Sequence, residues 1–538
     1  MIQVFNTLTR QKEPFTPIRA GEAGLYVCGV TPYDDCHIGH LMGPVLFDAV
    51  SRWLLARGLR VRFVNNITDI DDKIINRAKA SGESWKAISE RYTEQYFTCM
   101  RRLHVRTVTD HPRCTEYIPQ MIAYIGDLVA KDRAYVAADG VYYDVLKQPD
   151  YGKLTGRRLD DMISGSRVER DAGLRHPADF ALWKLAKPGE PSWDSPWGGG
   201  RPGWHIECSV MSLGTLGETF DIHGGGDDLK FPHHENEIAQ GEAHGGSYAR
   251  CWMHNGLIQY EGVKVGKSDP RMKDPAFAQR FKAVHLIDEH GAAVLRFLVL
   301  QGHYRRPSEF AEKAITAART ALAKMHRQFG ELLDEPLMDT GRESDFLAEI
   351  AARPASPAVS SHRDGFFSAM DDDFGTGSAI AHLFSILSEA RKLEPAQARQ
   401  ALIIARDLGR SIGLFQPGDG ADTSSAEAAS SKLSAVMELV IALRQQARAN
   451  RAFATSDRIR DALTAAGITV KDAKDGASWI LGGASDQAME RVMALVIGLR
   501  EQARTDKDFA ASDRIRDGLA ATGITLNDGT SGTQWTAI

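Results

Sequence analysis

Apolar positions near the start of the chain follow two different periods. Leu25, Tyr26 and Val27 form a short unbroken run. Beyond Gly29 and Pro32, residues Leu41, Val45, Leu46, Ala49, Val50, Trp53 and Leu54 recur at three- and four-residue steps, and a second run, Val61-Arg62-Phe63-Val64, ends in Asn65 and Asn66. The short runs read as strands and the stepped pattern as an amphipathic helix, with Gly58 placed to cap its end. Strand, loop, helix, strand is a βαβ unit, which builds a parallel sheet and binds ligands at the carboxyl ends of its strands. Within LYVCGVTPYDDCHIGH (25–40), His37 and His40 then stand where the helix begins. Free N–H groups and the positive end of the helix dipole favour an anion there.

Further along, a helical pattern covers 83–103. The acidic turn Asp69-Ile70-Asp71-Asp72 reads either as a helix N-terminus with stabilising carboxylates or as part of a site. From about 112 to 200 the pattern changes. Tyr142–Val145 and Tyr151–Leu154 look like short strands, and PGEPSWDSPWGGGRPG (188–203) is a turn-rich stretch, so the segment reads as an insertion into the sheet domain. The sheet is expected to resume with strands at 204–211 and 220–223, followed by a Gly224–Asp228 loop and a helix carrying Phe231–Glu237. Beyond about 280 the pattern is helical, broken at 336–364 and at 416–432; the second break, QPGDGADTSSAEAASSK, reads as a flexible linker. After it the chain repeats itself. The 35 residues from Val436 match those from Val492 without a gap, each unit predicting two amphipathic helices and a small hairpin. Two copies fit a tandem duplication better than a solenoid, which needs about three repeats.

The expected fold class is α/β: a Rossmann-like parallel-sheet domain with an inserted subdomain, followed by a helical bundle and small, duplicated α+β C-terminal modules. The boundaries read from the pattern are 1–111 with 201–270 for the sheet domain, 112–200 for the insertion, 271–330 and 331–415 for helical regions, 416–432 for the linker, and 433–483 and 484–538 for the two copies. At 538 residues the chain is too long for one core. A hydrophobic content of 43% with 25% charged residues is that of a soluble protein. No apolar run approaches membrane-spanning length and the first residues hold no signal-peptide core, so a cytoplasmic location is expected. Six scattered cysteines do not form a disulfide framework. The net charge of −5 gives no global attraction to nucleic acid, so such binding must come from local patches.

Chemistry gathers at a few positions. Gly224-Gly225-Gly226 before Asp227 and Asp228 suits close approach of a nucleotide, with Asp228 favoured over Asp227 as a ribose ligand. His233 and Glu237 are four apart on a predicted helix and face one way. With Cys28 and Cys208, both expected at strand ends of one sheet, they form a two-thiolate, imidazole and carboxylate set suited to Zn²⁺. Cys36, Cys99, Cys114 and Cys251 read as small buried hydrophobes. Lys264 and Lys267 flank Gly266 in a short loop that, beside a phosphate site, could close over transferring phosphates. Trp479 and Trp535, each after a Gly-rich turn, are either base-stacking or hairpin-packing residues.

In this order the motifs resemble those of class I aminoacyl-tRNA synthetases, and specifically the cysteinyl-tRNA synthetase family: His37-Ile38-Gly39-His40, Gly-Trp-His-Ile-Glu-Cys at 203–208, His-Gly-Gly-Gly-Asp-Asp-Leu at 223–229 and Phe-Pro-His-His-Glu-Asn-Glu at 231–237. The resemblance covers most of 1–480. It implies that L-cysteine is activated with Mg²⁺-bound ATP and passed to the terminal adenosine of tRNA(Cys). It implies one zinc per chain on Cys28, Cys208, His233 and Glu237, taking the substrate thiolate. By the same resemblance His37, Gly39 and His40 hold phosphates, Lys264 and Lys267 neutralise pyrophosphate, Gly226 and Asp228 hold the adenosine, and Gly29, Thr68 and Trp204 line the amino-acid pocket. Residues 112–200 would be the connective peptide, 271–330 a stem-contact region, 331–415 a tRNA-binding bundle, and 433–483 an anticodon-binding module. A monomer without membrane contact is expected. The sequence departs from the family in two places. Its lysine loop reads Lys-Val-Gly-Lys-Ser rather than Lys-Met-Ser-Lys-Ser, which makes the loop more mobile, and it carries two C-terminal modules instead of one. A cysteine ligase acting on an amino sugar is disfavoured by the helical segment 360–415 and the duplicated modules. A non-catalytic tRNA-binding paralogue is disfavoured by the presence of His37, His40, Cys208 and Lys267.

Overall fold

A computed structural model describes residues 1–159, 174–265, 269–333, 335, 346–416, 419–473, 476–481, 485–529 and 532–537. They form two compact units, Met1–Asp288 with Ala292–Pro417, and Gly418–Ile538 with Glu289–Gly291.

The first unit opens with an antiparallel ribbon, β1 (Gln3–Asn6) and β2 (Gln11–Pro14). Strand β3 (Glu22–Val30), helix α1 (Ile38–Ala56) and strand β4 (Arg60–Ile67) then make the expected βαβ unit, with β3 and β4 parallel. The acidic turn caps α2 (Asp72–Ser81): Asp71 accepts from the Lys73 amide at 2.8 Å. Helix α3 spans Trp85–Arg102. Next come α4 (Ile118–Ala130) and an antiparallel sheet of β5 (Ala134–Ala137), β6 (Gly140–Tyr143), β7 (Phe180–Leu185) and β8 (Gly200–Pro202). Helix α5 (Trp204–Leu216), strand β9 (Thr219–Gly226), helix α6 (Glu235–His244) and strand β10 (Tyr248–Asn255) complete a four-stranded parallel sheet in the order β10-β9-β3-β4.

Five expectations are corrected. Residues 204–211 are helical, not a strand. Residues 205–212 of α5 are all buried, so no polar face marks its period, and a short buried helix then looks like a buried strand. Residues 151–154 form a turn, not a strand, because the turn wraps a carboxylate: the Gly152 amide donates to Glu235 Oε1 at 2.9 Å and the Thr155 amide to Oε2 at 3.2 Å. Gly224–Gly226 belong to β9 rather than to a loop. The expected linker is helical from Asp419 onward, in a helix reaching Ala449, in keeping with its alanine content. The expected break at 336–364 also holds two helices, Phe346–Ala352 and Pro357–Asp371, with 336–345 outside the described residues. Pro357 starts the second of them behind Ser356, whose Oγ accepts from the Val359 amide at 3.3 Å, so that proline is a start signal and not a breaker.

The apolar face of α1 (Leu41, Val45, Trp53 and Leu54) is fully buried in a core that runs on into the helices between Ala292 and Arg410. Trp53 Nε1 donates to Asp371 at 3.0 Å, and Arg296 Nη2 donates to the buried Asp48 at 2.5 Å.

In the second unit each copy is two helices and a hairpin: Asp419–Ala449, Phe453–Ala465 and Ile468–Ala473 with Gly476–Leu481, then Ser485–Thr505, Phe509–Ala521 and Ile524–Gly529 with Gly532–Ala537. Equivalent residues of the two copies meet in one core: Val436, Met437 and Val440 with Val492, Met493 and Val496, all fully buried. Trp479 and Trp535 sit opposite Val470 and Leu526 and pack against this core, which assigns them to hairpin packing.

Candidate active site and metal cluster

The chemistry-bearing residues lie at the carboxyl ends of the parallel strands. Cys28 sits near the end of β3, and the chain then passes through His37 into α1. Gly226 ends β9, followed by Asp228. Cys208 comes from α5, which packs across the sheet. Glu237 lies in the first turn of α6 and His233 in the irregular turn Lys230–His234 before it. Phe231 has an extended backbone there, so the helix expected over 231–237 begins only at Glu235.

Four side chains converge although 180 residues separate the two thiols. Cys28 Sγ lies 3.7 Å from Cys208 Sγ and 3.6 Å from Glu237 Oε1, and His233 Nε2 lies 3.2 Å from the same oxygen. Donor atoms around a tetrahedral ion with bonds of about 2.0–2.3 Å stand about 3.3–3.8 Å apart, so the spacing and the sulfur–nitrogen–oxygen set fit Zn²⁺. All four donor atoms fall within 4.8 Å of one another. Burial pushes the Cys28 thiol up and draws the His233 imidazole down to about 3, leaving that ring neutral, the form that binds metals. At Glu237 burial favours the neutral acid, but His223 and His233 outweigh it and hold the carboxyl below its ordinary value.

Residues behind the cluster orient it. His233 Nδ1 meets His205 Nδ1 at 2.9 Å, while Glu237 Oε2 meets His223 Nε2 and the Tyr248 hydroxyl, each at 2.8 Å. Such partners fix the rotamer and basicity of a ligand. Sequence reading did not single out His205, His223 or Tyr248, nor His234, whose Nε2 lies 3.3 Å from Cys28 Sγ and which with Cys28, His223 and Glu237 makes a second compact donor group. The signal was present as histidines crowded into 205–254, but nothing in their spacing ranked them. Trp204, expected in the amino-acid pocket, stacks on His233 with ring centroids 4.2 Å apart, so its ring touches the cluster.

The glycines divide by role. A Cβ on Gly29 would stand 1.6 Å from the Asn66 carbonyl oxygen, and the Gly29 amide donates to Asn66 Oδ1 at 2.8 Å, so β3 and β4 approach here as only glycine allows. Thr68, also buried, accepts from Asn66 Nδ2 at 3.4 Å. On β9, a Cβ at Gly224 would meet the Phe47 ring at 2.4 Å and one at Gly225 the His234 ring at 2.7 Å, so these two serve packing. A Cβ at Gly226 would come closest to the flexible end of Asp228 and otherwise touch Leu257 at an ordinary 3.6 Å.

At the head of α1 the rings of His37 and His40 stack with centroids 3.7 Å apart, and a Cβ on Gly39 would lie 2.9 Å from the His37 ring. Both imidazoles therefore stand together at a helix N-terminus. Asp228 is paired with Lys264, Oδ2 to Nζ 3.0 Å, while the neighbouring Asp227 pairs with Lys230. Gly266 and Lys267 lie outside the described residues.

Comparison with known proteins agrees over nearly the whole length. The family model described as tRNA synthetases class I (C) catalytic domain matches residues 14–320, the DALR domain matches 365–416, and the cysteinyl-tRNA ligase anticodon binding domain matches 430–479. The Cysteine--tRNA ligase of Hahella chejuensis is 43% identical over 491 residues, covering 89% of this chain and 99% of the relative; that of Methylobacillus flagellatus is 44% identical over 481 residues, with the same coverage. Among solved structures, methionyl-tRNA synthetase of Mycobacterium tuberculosis bound by methionyl-adenylate aligns with a TM-score of 0.52 at 14% identity, over 76% of this chain and 94% of that one, a likeness of fold. Sequence, sheet order and the placing of the motifs on the strand ends converge on one conclusion: the chain belongs to the cysteinyl-tRNA synthetase family of class I aminoacyl-tRNA synthetases.

Proposed function

We propose that the chain is a cysteine–tRNA ligase that selects its amino acid with a zinc ion held by Cys28, Cys208, His233 and Glu237. One observation carries this reading: two thiols, a neutral imidazole and a carboxylate converge at metal-ligand spacing beside the carboxyl ends of a nucleotide-binding sheet. Serine and cysteine have nearly one shape, and a pocket of apolar walls discriminates poorly between isosteres. The ion supplies a thiophilic point that prefers sulfur to a hydroxyl.

The overall reaction has two steps. The carboxylate of cysteine attacks the α-phosphate of Mg²⁺-bound ATP to give cysteinyl-adenylate and pyrophosphate, and the terminal adenosine hydroxyl of tRNA(Cys) then takes the cysteinyl group. The work of the protein is positioning and charge stabilisation. His37 and His40, stacked above the N-terminus of α1 with Gly39 between them, hold the phosphates. Gly226 leaves room beside Asp228, whose carboxylate accepts from ribose hydroxyls. Lys264 and Lys267 neutralise the departing pyrophosphate. Gly29, Thr68 and Trp204 wall the amino-acid pocket, where Trp204 is braced on His233. Residues 1–111 and 201–270 make the catalytic domain, 112–200 the connective insertion and 271–330 the stem contact. Residues 331–415 form the tRNA-binding bundle, and 433–483 the module that meets the anticodon. The enzyme acts as a monomer in the cytoplasm. No helix among the described residues is long and apolar enough to cross a membrane.

The test is ATP–pyrophosphate exchange with cysteine, serine or no amino acid, followed by charging of tRNA(Cys). Exchange that needs cysteine, with charging to follow, is expected. Exchange supported equally by serine sinks the proposed basis of selection.

A further inference from the structure

The second C-terminal copy is left without a task by the reaction described above. The anticodon-domain match ends at residue 479, and relatives covered almost end to end account for 89% of the chain. We propose that this copy bears a single-stranded RNA contact of its own, formed by Phe509, Asp513 and Arg516, which takes an anticodon loop of the same chemical kind as the first copy does. The inference rests on reading the first copy as the anticodon module.

In the helix Phe509–Ala521 these three residues follow steps of four and three, which groups them on one exposed stripe beside the buried Ser512, Ile515 and Leu519. Phe509 is 63% exposed and its counterpart Phe453 61%, so each copy holds a phenyl ring out in water at the start of a helix whose adjoining stripe packs the core. Leaving such a ring exposed forgoes about 1.5–3 kcal/mol of burial. Both copies do so at the same position.

The surrounding surface makes the same point. Phe453, Asp457, Arg458, Arg460 and Asp461 are all exposed, and all recur unchanged as Phe509, Asp513, Arg514, Arg516 and Asp517. Just before them, the exposed Asn450, Arg451 and Ala452 have become Asp506, Lys507 and Asp508. Packing places little demand on exposed residues, and five exposed positions kept unchanged around an open phenyl ring point to a ligand. Its internal geometry is repeated too: Arg460 lies 3.3 Å from Asp457, and Arg516 lies 3.2 Å from Asp513. An open aromatic face stacks an unpaired base, a carboxylate accepts from the base edge, and a guanidinium reaches phosphate or base. The first of these patches lies within the span matched as an anticodon binding domain, and on that ground an anticodon loop is the occupant proposed for the second.

The inner faces dictate how this is tested. Removing residues 484–538 would strip the cover from Val436, Met437 and Val440, so truncation damages the first copy as well. Exposed substitutions in the full chain avoid that. Binding of a hairpin carrying the tRNA(Cys) anticodon loop is measured by native mass spectrometry and calorimetry, with thermal melting as the check on folding. Two hairpins per parent chain are expected, one for Phe509→Ala/Arg516→Ala, one for Phe453→Ala/Arg460→Ala, and none for the four changes combined, with unchanged melting. A parent that binds one hairpin, insensitive to changes at 509 and 516 and lost on changes at 453 and 460, overturns the inference and leaves the first-copy reading intact. Loss on changes at 509 and 516 alone supports the second contact and overturns the first-copy reading. A parent that binds no hairpin overturns both.

Discussion

The Cys28 thiol, on a strand, and the Cys208 thiol, on a helix, lie 3.7 Å apart at one corner of the parallel sheet. A half-buried thiol and a buried one, with no partner but each other and nearby polar groups, gain little from the fold alone. The zinc ion proposed above would account for the pairing. Cys208→Ser is expected to lower zinc content and cysteine-dependent exchange together, each by at least about 100-fold, since losing a direct ligand costs more than the 10–100-fold typical of an outer partner. Metal analysis and exchange on the same preparation decide it. Full exchange by a metal-free variant removes zinc from the account.

His205 tests the layer behind the ligands. Its Nδ1 stands 2.9 Å from His233 Nδ1, and burial lowers its pKa to about 3, so it serves as a neutral hydrogen-bond partner. His205→Ala should weaken zinc binding about 10–100-fold in competition with a chelator, without removing a ligand. Unchanged affinity would limit His205 to packing.

Much of this corner was legible in sequence because its signals are local. The βαβ unit declares itself by period, and each motif by a few adjacent residues. What sequence concealed was set by partners far along the chain. The backbone at 151–154 turns because it must wrap Glu235, 80 residues downstream, and nothing in Tyr-Gly-Lys-Leu records that demand. Cys208 was expected on a strand because α5 is buried all round and shows no face. Gly224 and Gly225, expected to admit a nucleotide, instead admit Phe47 and His234, a fact written only in three dimensions.

Lys264 and Asp228 make a further prediction. Their 3.0 Å ion pair brings the lysine loop onto the carboxylate proposed to hold the ribose. Asp228→Asn keeps the shape but removes a charged acceptor, worth about 1.5–3 kcal/mol in a hydrogen bond. An increase of about 10–100-fold in the KM for ATP is expected, with the KM for cysteine unmoved. Exchange kinetics with each substrate varied in turn separate the two, and a parallel rise in both would mean that Asp228 supports the whole pocket rather than the nucleotide.

Asp48 links the sheet domain to the helices that follow it, and its ionisation makes that link sensitive to acid. The carboxylate is fully buried, accepting from Arg52 Nε at 2.7 Å, Arg296 Nη2 at 2.5 Å, the amides of Arg106 and Thr107, and the Thr107 hydroxyl. Burial by itself would raise its pKa, but the two guanidiniums and the hydrogen bonds prevail and hold it well below the usual carboxylate range. A carboxyl whose folded pKa is depressed contributes stability that is complete above its unfolded value, about 3.9, and drains away as pH falls below it. Asp48→Asn leaves the buried Arg296 without its counter-charge, so at neutral pH a loss of about 3–5 kcal/mol is expected. The variant should also show a flatter loss of stability than the parent between about pH 5 and pH 2. Urea unfolding followed across that range in both proteins reads the two effects. Parallel acid limbs in parent and variant would assign the acid sensitivity to other carboxylates and leave Asp48 a neutral-pH contact only.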